Sequence, residues 1–253
     1  MNSKETMYVI GRNAVREVLE SEHEVYQLFV LSSSKDETLA SLVKLAQTRR
    51  IRVDYKTRDE LNQIQKGNHQ GIIAACAGYA FVQVEDILKS ARKRGETPFI
   101  LILESIQDPH NLGAIIRTAE TAGVHGVIIS KNRSVGLTYA AAKTAAGALE
   151  YVPVAQVTNL VRTIDQLKKE GLWVACADMD GDEIYDTDLT GPIALVIGGE
   201  HEGVGRLVKE HCDLTVRLPM QGHITSLNAS VAAGISVYEI VRQRREKAHA
   251  QTK

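Results

Sequence analysis

The sequence predicts a two-part α/β protein whose larger, C-terminal part contains a mostly parallel β-sheet. The chain has 253 residues, of which 44% are hydrophobic and 24% are charged, as in ordinary globular proteins. After Pro98, apolar strand-like runs alternate with helical patterns. Strands this apolar, separated by helices, are typical of a parallel sheet covered on both faces. The composition does not fit disordered chains, collagens or coiled coils.

Residues 1–78 are predicted to form a small α/β domain. Apolar and β-branched runs in this part indicate strands, and apolar residues at helical spacing indicate a helix. The strands are predicted at residues 25–31, 51–55 and 71–77, and the helix at residues 36–50. Residues 79–97 combine a short helical pattern with a charged stretch and are the candidate linker. The second domain then covers residues 98–253.

The second domain is predicted to contain strands spaced by helices. They lie at residues 99–103, 126–130, 172–177, 193–197 and 214–218. In open parallel sheets, ligands bind at the carboxyl ends of the strands. The loops that follow Leu103, Ile197 and Leu218 are therefore the places where we expect functional side chains.

Polar side chains follow the first of these strands. Asn111 is predicted to cap a helix that runs to about Ala122, and Arg117 lies six residues after that cap. An asparagine amide and an arginine so close to a strand end suit a phosphate or a ribose. The alternative is an ordinary helix cap and a surface arginine.

The loop after Ile197 is rich in glycine and carries two carboxylates, Glu200 and Glu202. Glycines allow a ligand to approach the backbone closely. The loop is neither a G-x-G-x-x-G turn nor a Walker loop, and its carboxylates would repel a pyrophosphate. It suits a ligand with a cationic group, or one that presents hydroxyl and amine donors. A Rossmann-type oxidoreductase is therefore a weaker alternative.

The segment after Leu218 is a polar loop that leads into a long helical pattern from Val231 to about Arg245. Ser226 or Asn228 is the predicted N-cap of this helix. Small residues at its start allow very close packing against another backbone. A tight contact between helix and sheet is the simplest interpretation of this segment taken alone.

Together, the three segments resemble the motifs of the SpoU, or TrmH-type, branch of the SPOUT RNA methyltransferases. The family motifs are N-x-G-x-x-x-R-T, L-V-x-G-x-E-x-x-G and I/L-P-M-x-G-x-x-x-S-L-N-x-S-x-A. They match Asn111–Thr118, Leu195–Gly203 and Leu218–Ala232, in the family's order. The resemblance covers about residues 98–245. It implies a deep trefoil knot in the C-terminal part of the sheet, a feature that periodicity does not predict and that is nearly absent from proteins in general.

The resemblance also implies S-adenosylmethionine (AdoMet) as the cofactor and a ribose 2′-hydroxyl of RNA as the acceptor. The implied catalytic residues are Arg117, Asn111, Glu200 and Asn228. The residues implied to contact AdoMet are Gly198, Gly199, Leu218, Met220, Ser226 and Leu227. In the family proposal, Arg117 helps to remove or polarise the hydroxyl proton, although an arginine is normally always protonated. The open alternative is that Arg117 clamps a phosphate, and that water or the substrate phosphate takes the proton.

The expected partners follow from the same resemblance. The N-terminal domain is similar to the small substrate-binding domain of the rRNA-modifying members, so we expect a guanosine of large-subunit rRNA as the target, with tRNA as the alternative. The knotted domains of this family pack together, which implies a homodimer. A non-catalytic rRNA-binding protein is the alternative from another class, and it leaves the three motifs without a purpose.

Charge is divided unevenly along the chain. Residues 1–95 contain 15 Lys and Arg against 12 Asp and Glu, a net charge of +3, whereas residues 96–253 contain 15 against 19, a net charge of −4. Basic clusters either contact phosphates or are simply solvated surface. They lie at residues 49–52, 92–94 and 242–245. The RNA-facing loops are predicted at residues 12–13 and 67–71.

The cysteine, histidine and hydropathy patterns argue against disulfides, a metal site and a membrane span. The three cysteines are far apart and the histidines lack metal-ligand spacing, so we expect neither a disulfide framework nor a metal. Apolar runs stay far below the roughly 18–20 residues of a membrane span, and the N-terminus does not resemble a signal peptide. We therefore expect a cytoplasmic protein without membrane contact.

Overall fold

The computed structural model describes residues 6–34, 36–200 and 202–251. The chain divides into two compact units, Met1–Ala80 and Phe81–Lys253, and each unit has its own sheet. The predicted fold class, a small α/β domain followed by a domain with a parallel sheet, is confirmed.

The first unit is built on a four-stranded sheet. Its elements are β1 (Thr6–Ile10), α1 (Arg12–Glu20), β2 (Val25–Leu31), α2 (Glu37–Thr48), β3 (Arg52–Lys56), α3 (Arg58–Ile64) and β4 (Ile72–Ala77). The strand order is β1-β4-β2-β3, with β4 antiparallel to β1 and to β2, and β2 parallel to β3. Every residue of β4 is buried. This explains its unbroken apolar sequence, since the strand lies between two others.

Arg49, in the first basic cluster, has a structural task. Its guanidinium donates hydrogen bonds to the carbonyl oxygens of Val18 (3.2 Å), Leu19 (2.6 Å) and Ser21 (3.0 Å) at the end of α1. The last carbonyls of a helix lack partners within the helix, and a cation there also interacts favourably with the helix dipole. Arg49 therefore stabilises the end of α1, although like its neighbours Arg50 and Arg52 it is exposed.

The second unit is built on a six-stranded sheet. Its elements are α4 (Val84–Arg94), β5 (Phe99–Glu104), α5 (Pro109–Thr121), β6 (Gly126–Ser130), α6 (Tyr139–Ala145), β7 (Val154–Val157), α7 (Leu160–Lys169), β8 (Trp173–Glu183), β9 (Ile193–Gly198), α8 (Arg206–His211), β10 (Leu214–Arg217) and α9 (Ala229–Gln251), with short 3₁₀ helices at Ala148–Glu150 and Ile184–Asp186. The strand order is β10-β8-β9-β5-β6-β7, and each neighbouring pair is parallel.

The segment predicted as a linker, residues 79–97, is mostly helix α4. The side chains of Val84, Ile87 and Leu88 are buried in the hydrophobic core of the second unit. The charged residues that made this segment look like a connector lie in the last turn of α4, where cations favour the helix dipole. Residues 81–97 are therefore part of the second unit rather than a free connection between two domains.

The basic cluster near the C-terminus is also engaged within the second unit. Arg244 donates to the carbonyl oxygens of Pro98 (3.0 Å) and Gly191 (2.7 Å), and its guanidinium lies 5.0 Å from the ring centroid of Phe99. Arg242 pairs with Glu239 on the same helix at 2.7 Å. These contacts favour a structural role for both arginines over phosphate contacts.

None of the helices within 6–34, 36–200 and 202–251 is both long and apolar enough to cross a membrane. Over the same ranges, no three or more His, Cys, Asp or Glu side chains are grouped so that they could hold a metal ion.

Candidate active site

The first two sequence motifs meet at the middle of the second sheet. Strands β5 and β9 are neighbours, and their ends are in register, with Leu103 opposite Ile197 and Glu104 opposite Gly198. The strand order reverses its direction between these two strands. Such a reversal is the point at which parallel α/β sheets bind ligands, because the loops on its two sides turn away from each other.

Asn111 is not the N-cap of α5, and the prediction that it caps this helix is wrong. The N-cap is Asp108, whose carboxylate accepts the backbone N–H of His110 at 2.8 Å, and Pro109 follows at the first helical position. An aspartate directly before a proline is a stronger start signal than an asparagine three residues after that aspartate. Asn111 therefore lies inside the first turn of α5, where it is 8% exposed.

Asn111, Glu200 and Asn228 form one hydrogen-bonded network. The side-chain amide of Asn111 donates to Oε1 of Glu200. The amide of Asn228 donates to the same oxygen at 2.7 Å and to Oδ1 of Asn111 at 3.1 Å. One residue comes from each sequence motif, so the three motifs meet in space. The network leaves Oε2 of Glu200 and the second amide proton of Asn111 for further bonds.

Asn228 also begins the last helix, as one of the two predicted N-caps. Its Oδ1 accepts the backbone N–H groups of Ser230 (3.0 Å) and Val231 (3.3 Å). A single side chain thus caps α9 with its oxygen and holds Glu200 with its nitrogen. The position of the α9 start is thereby tied to the loop after β9.

The loop after β9 is folded tightly onto the end of β5. Gly203 donates its N–H to the carbonyl of Gly199 at 2.9 Å, and a Cβ atom on Gly199 would lie 2.3 Å from the carbonyl oxygen of Ser105. The carboxylate of Glu104 accepts the N–H of Gly205 at 2.8 Å. Glycine is required at Gly199 because no side chain fits there. His201, within this loop, lies outside the described residues.

A cavity of about 390 Å³ opens where β5 and β9 end. It is lined by Ser105, Ile106, Gln107, Asp108, Asn111, Gly199, Glu200, Glu202 and Ala229. Its volume lies in the usual range of small-molecule sites, roughly 300–1,000 Å³. The described part of its lining contains carboxylates and amides but neither lysine nor arginine. Such a lining favours a ligand with cationic or hydroxyl groups over a phosphate.

Arg117 lies apart from this network. It is exposed, and it makes no hydrogen bond or ion pair with any described residue. Six residues separate it from Asn111, so the two side chains leave α5 about 120° apart and about 9 Å apart along its axis. Arg117 is therefore free to meet a ligand outside the cavity that Asn111 lines.

The other residues predicted to contact AdoMet lie in the segment between β10 and Asn228. Leu218 follows β10 directly, and Leu218, Met220 and Leu227 are half-buried, whereas Ser226 is exposed. Ser226 and Leu227 immediately precede Asn228, which lies beside Glu200. Of the six predicted cofactor residues, Gly199 is the one that lines the cavity.

Comparison with known families settles the class of this site. Residues 98–238 match the family model described as the SpoU rRNA Methylase family. The chain belongs to this SpoU family. Residues 8–82 of the same chain match a second model, described as RNA 2′-O ribose methyltransferase substrate binding.

Relatives of this SpoU protein match it along nearly its whole length. It is 46% identical over 96% of the chain to YacO of Bacillus subtilis, which is named as a TrmH family tRNA/rRNA methyltransferase and is covered over 98% of its length. Among solved structures, it is similar to the SpoU methyltransferase AviRb of Streptomyces viridochromogenes in complex with AdoMet, with a TM-score of 0.63, 25% identity, and coverage of 95% of this chain and 91% of that one. An AdoMet-bound rRNA methyltransferase from Sinorhizobium meliloti shares the fold, with a TM-score of 0.60, 20% identity, and coverage of 94% and 87%.

This SpoU protein is an AdoMet-dependent RNA methyltransferase. The predicted enzyme class and cofactor are thereby confirmed, and the two alternatives, a non-catalytic RNA-binding protein and an oxidoreductase, are set aside. The residues at the site fit the cofactor, because AdoMet carries a positive sulfonium and no phosphate, and the cavity lining is acidic. Carboxylates and side-chain amides of this kind can hold a cation and bind the hydroxyls of a ribose.

Two contributors to this site escaped the sequence analysis. Glu104 holds the start of α8 across 101 residues of sequence, and Ser105 has a positive φ of 57° where its carbonyl meets Gly199. The signal for Glu104 was a carboxylate at the end of an otherwise apolar strand. Strained backbone conformations are common at active sites. A serine gives no sequence signal for such a conformation, so the positive φ of Ser105 was not predicted.

The two loops predicted to face RNA in the first unit lie next to each other. The backbone N–H and the guanidinium Nε of Arg12 donate to the side-chain and main-chain oxygens of Gln70, at 3.0 and 3.4 Å. Arg12 also pairs with Asp36 at 2.8 Å. Residues 11–13 and 67–71 thus form one surface, whose shape is fixed by Arg12.

Proposed function

We propose that this enzyme transfers the methyl group of AdoMet to the 2′-hydroxyl of a ribose, at a guanosine of large-subunit rRNA, in the cytoplasm. The observation that carries the proposal is the network of Asn111, Glu200 and Asn228 at the edge of an acidic cavity. Amides and a carboxylate in one network can donate to and accept from neighbouring hydroxyl groups, as a ribose requires. The substrate-binding model matched by residues 8–82 supports a ribose acceptor.

The chain's own residues would position the reactants. AdoMet, when bound, supplies an activated methyl group. Its proposed contacts are Gly198, Gly199, Leu218, Met220, Ser226 and Leu227. In-line displacement depends on correct orientation, which well-ordered contacts provide. We assign the orientation of the ribose to Asn111, Glu200 and Asn228, and contact with the target's phosphate to Arg117, whose guanidinium has no partner among the described residues.

We propose that a trefoil knot shapes this cofactor site. The chain leaves β10 at the edge of the sheet and, by Asn228, has returned to Glu200 beside β9 near the middle. Strand β8 lies between these two places, so residues 218–228 must cross the end of the sheet. This return supports a threaded path for the chain.

Substrate choice is tested by mapping the methyl group. The proposal of rRNA rests on the similarity of the N-terminal domain to that of the rRNA-modifying members, and the chain as a whole most resembles one of them, RlmB, which methylates a guanosine. The name of YacO includes both tRNA and rRNA. Incubation of the enzyme with labelled AdoMet and either large-subunit rRNA or bulk tRNA is expected to label a guanosine ribose in rRNA. Label in tRNA alone would show that tRNA, and not rRNA, is the substrate. Label on a base would contradict the ribose as the acceptor.

We propose that the first unit holds RNA at the joint surface of residues 11–13 and 67–71. Backbone groups in this surface are set by Arg12 and Gln70. Arg12 is partly neutralised by Asp36, so it shapes the surface more than it supplies charge. The net charge of +3 over residues 1–95 favours phosphate contacts in general.

A homodimer through α9 is the proposed assembly. Val231, Ile235 and Tyr238 are 48%, 38% and 48% exposed and lie one above another on this helix, since their spacing of four and three residues matches its turns. The small residues near the start of this helix include Ala229 and Ala233, which are buried within their own chain. The exposed apolar stripe is therefore the better candidate for the contact.

Sedimentation equilibrium tests this assembly. We expect the wild-type protein to sediment at twice the mass of one 27.8 kDa chain. A charged residue in the apolar stripe, Ile235→Glu, is expected to give monomers because it would place an unpaired charge in the contact. A monomeric wild-type protein would contradict the proposal, and Lys44→Glu, at an exposed position of the first unit, serves as the control.

A further inference from the structure

The proposed function leaves the proton of the 2′-hydroxyl without an acceptor, and the following inference rests on that function. Arg117 is a poor base because a guanidinium remains protonated in proteins. Oε1 of Glu200 already accepts hydrogen bonds from two asparagine amides. The carboxylate of Asp108 caps α5. Each of these carboxylates thus already has a structural task within the chain.

His110 lies in the first turn of α5, between Asp108 and Asn111, both of which line the cavity. Its side chain is exposed, and its Nδ1 lies 3.2 Å from Oγ1 of Thr144 on α6. Helices α5 and α6 are close enough for this contact because Gly113 lacks a side chain, and a Cβ there would lie 2.4 Å from the carbonyl oxygen of Ala141.

Two hydrogen bonds fix the tautomer of the neutral His110 ring. The hydroxyl of Thr144 donates its single proton to the carbonyl oxygen of Ala140 at 3.0 Å. Toward His110 this hydroxyl can then act only as an acceptor, so Nδ1 carries the ring proton. The lone pair of the neutral ring is therefore on Nε2, which has no hydrogen-bond partner among the described residues. Orientation of a histidine by a fixed partner is how general bases are commonly prepared.

His110 and Arg117 lie on the same side of α5. Seven residues separate them, so they lie nearly one above the other at about 10 Å along the helix axis. The side chains of a helix lean towards its N-terminus, which brings the long guanidinium of Arg117 closer to His110. The residue that lies on this line between them is Ala114, which is too small to separate them. The two exposed groups can therefore contact one nucleotide, Arg117 at a phosphate and His110 at the sugar.

We propose that Nε2 of His110 accepts the proton of the ribose 2′-hydroxyl. As the proton moves to Nε2, the electron pair of the oxygen forms the new bond to the methyl carbon. The carbon–sulfur bond breaks with its electron pair on sulfur, and the imidazolium then releases its proton to water. Thr144 acts as the positioning residue, because it keeps the proton on Nδ1.

Chemical rescue tests this assignment. Positioned general bases contribute typically 10²–10⁴-fold, so His110→Ala is expected to lower kcat by about 100-fold or more. AdoMet affinity, measured by titration calorimetry, should stay within twofold of the wild type. Added imidazole should restore part of the rate in His110→Ala and leave the wild-type rate unchanged. A wild-type rate in His110→Ala, or a slow variant that imidazole does not restore, would overturn the proposal.

Thr144→Val supplies a readout that does not depend on turnover. In ¹⁵N-histidine spectra, the wild-type His110 should carry its proton on Nδ1, and the variant should lose this preference. An unchanged tautomer in Thr144→Val would contradict the positioning role. His211→Ala is the matched control, since that ring is also exposed and is held through Nδ1 by Asp165 at 2.9 Å. It should keep the wild-type rate.

The role of the ribose as acceptor and the role of His110 as base are tested by different experiments. Mapping of the methyl group made by the wild-type enzyme tests the ribose as acceptor and involves no variant. A label on a base would end the proposed function whatever His110→Ala does. A label on the 2′-oxygen together with full activity of His110→Ala would end only the role of His110.

Discussion

Arg117→Ala is expected to lose turnover by about 10²-fold or more while it binds AdoMet as the wild type does. Removal of one preorganised group that stabilises transition-state charge costs about that much in enzymes generally. The side chain is exposed and makes no bond to any described residue, so its removal should leave the fold intact. Single-turnover rates with RNA and titration calorimetry with AdoMet measure the two quantities independently.

Arg117→Lys separates the two open roles of this residue. A lysine keeps the charge of a phosphate clamp but lacks the planar, bidentate geometry of the guanidinium. If Arg117 is a clamp, the lysine variant should retain a measurable part of the rate and bind RNA more tightly than Arg117→Ala. Equal losses of rate and of AdoMet affinity in Arg117→Ala would remove Arg117 from the catalytic residues.

The strands at the site were predictable because their sequences are apolar on both faces. Strand β6 has the predicted bounds, and β5 and β9 are each one residue longer. Strand β7, at Val154–Val157, was missed. Strand β8 was predicted to end at residue 177 but continues to Glu183, because its acidic second half pairs with β10 after a shift in register. Pairing across the sheet overrides the low strand propensity of aspartate and glycine.

The residues of the candidate site were predictable where they belong to one of the three sequence motifs. The resemblance named Asn111, Glu200 and Asn228, and the structure brings these three together. Local sequence does not predict which distant residue each of these side chains contacts. The contact between Glu104 and Gly205 joins residues 101 positions apart, and the hydrogen bond between Nδ1 of His110 and Oγ1 of Thr144 depends on how closely α6 approaches α5. Such contacts follow from tertiary packing alone.

Gly198→Ala is expected to weaken AdoMet binding at least tenfold, and to lower activity with it, in a protein that still folds. A Cβ atom at Gly198 would lie 2.0 Å from the carbonyl carbon and 2.2 Å from the carbonyl oxygen of Gly203. These are backbone atoms, so relief requires the turn between Gly199 and Gly203 to open, which would displace Glu200 from the two asparagines. Overpacking of this kind costs about 1–3 kcal/mol, less than the stability of a typical domain.

Titration calorimetry and thermal unfolding measure the effect of Gly198→Ala. AdoMet affinity should fall at least tenfold, and the unfolding midpoint should fall by several degrees, since each kcal/mol shifts it by about 2–4 °C in a domain of 150–250 residues. Gly191→Ala is the control, because Gly191 precedes the same strand by two residues and a Cβ there meets nothing within 4 Å. Wild-type AdoMet affinity in Gly198→Ala would place the cofactor away from this turn, since no cofactor held there could tolerate the displaced backbone.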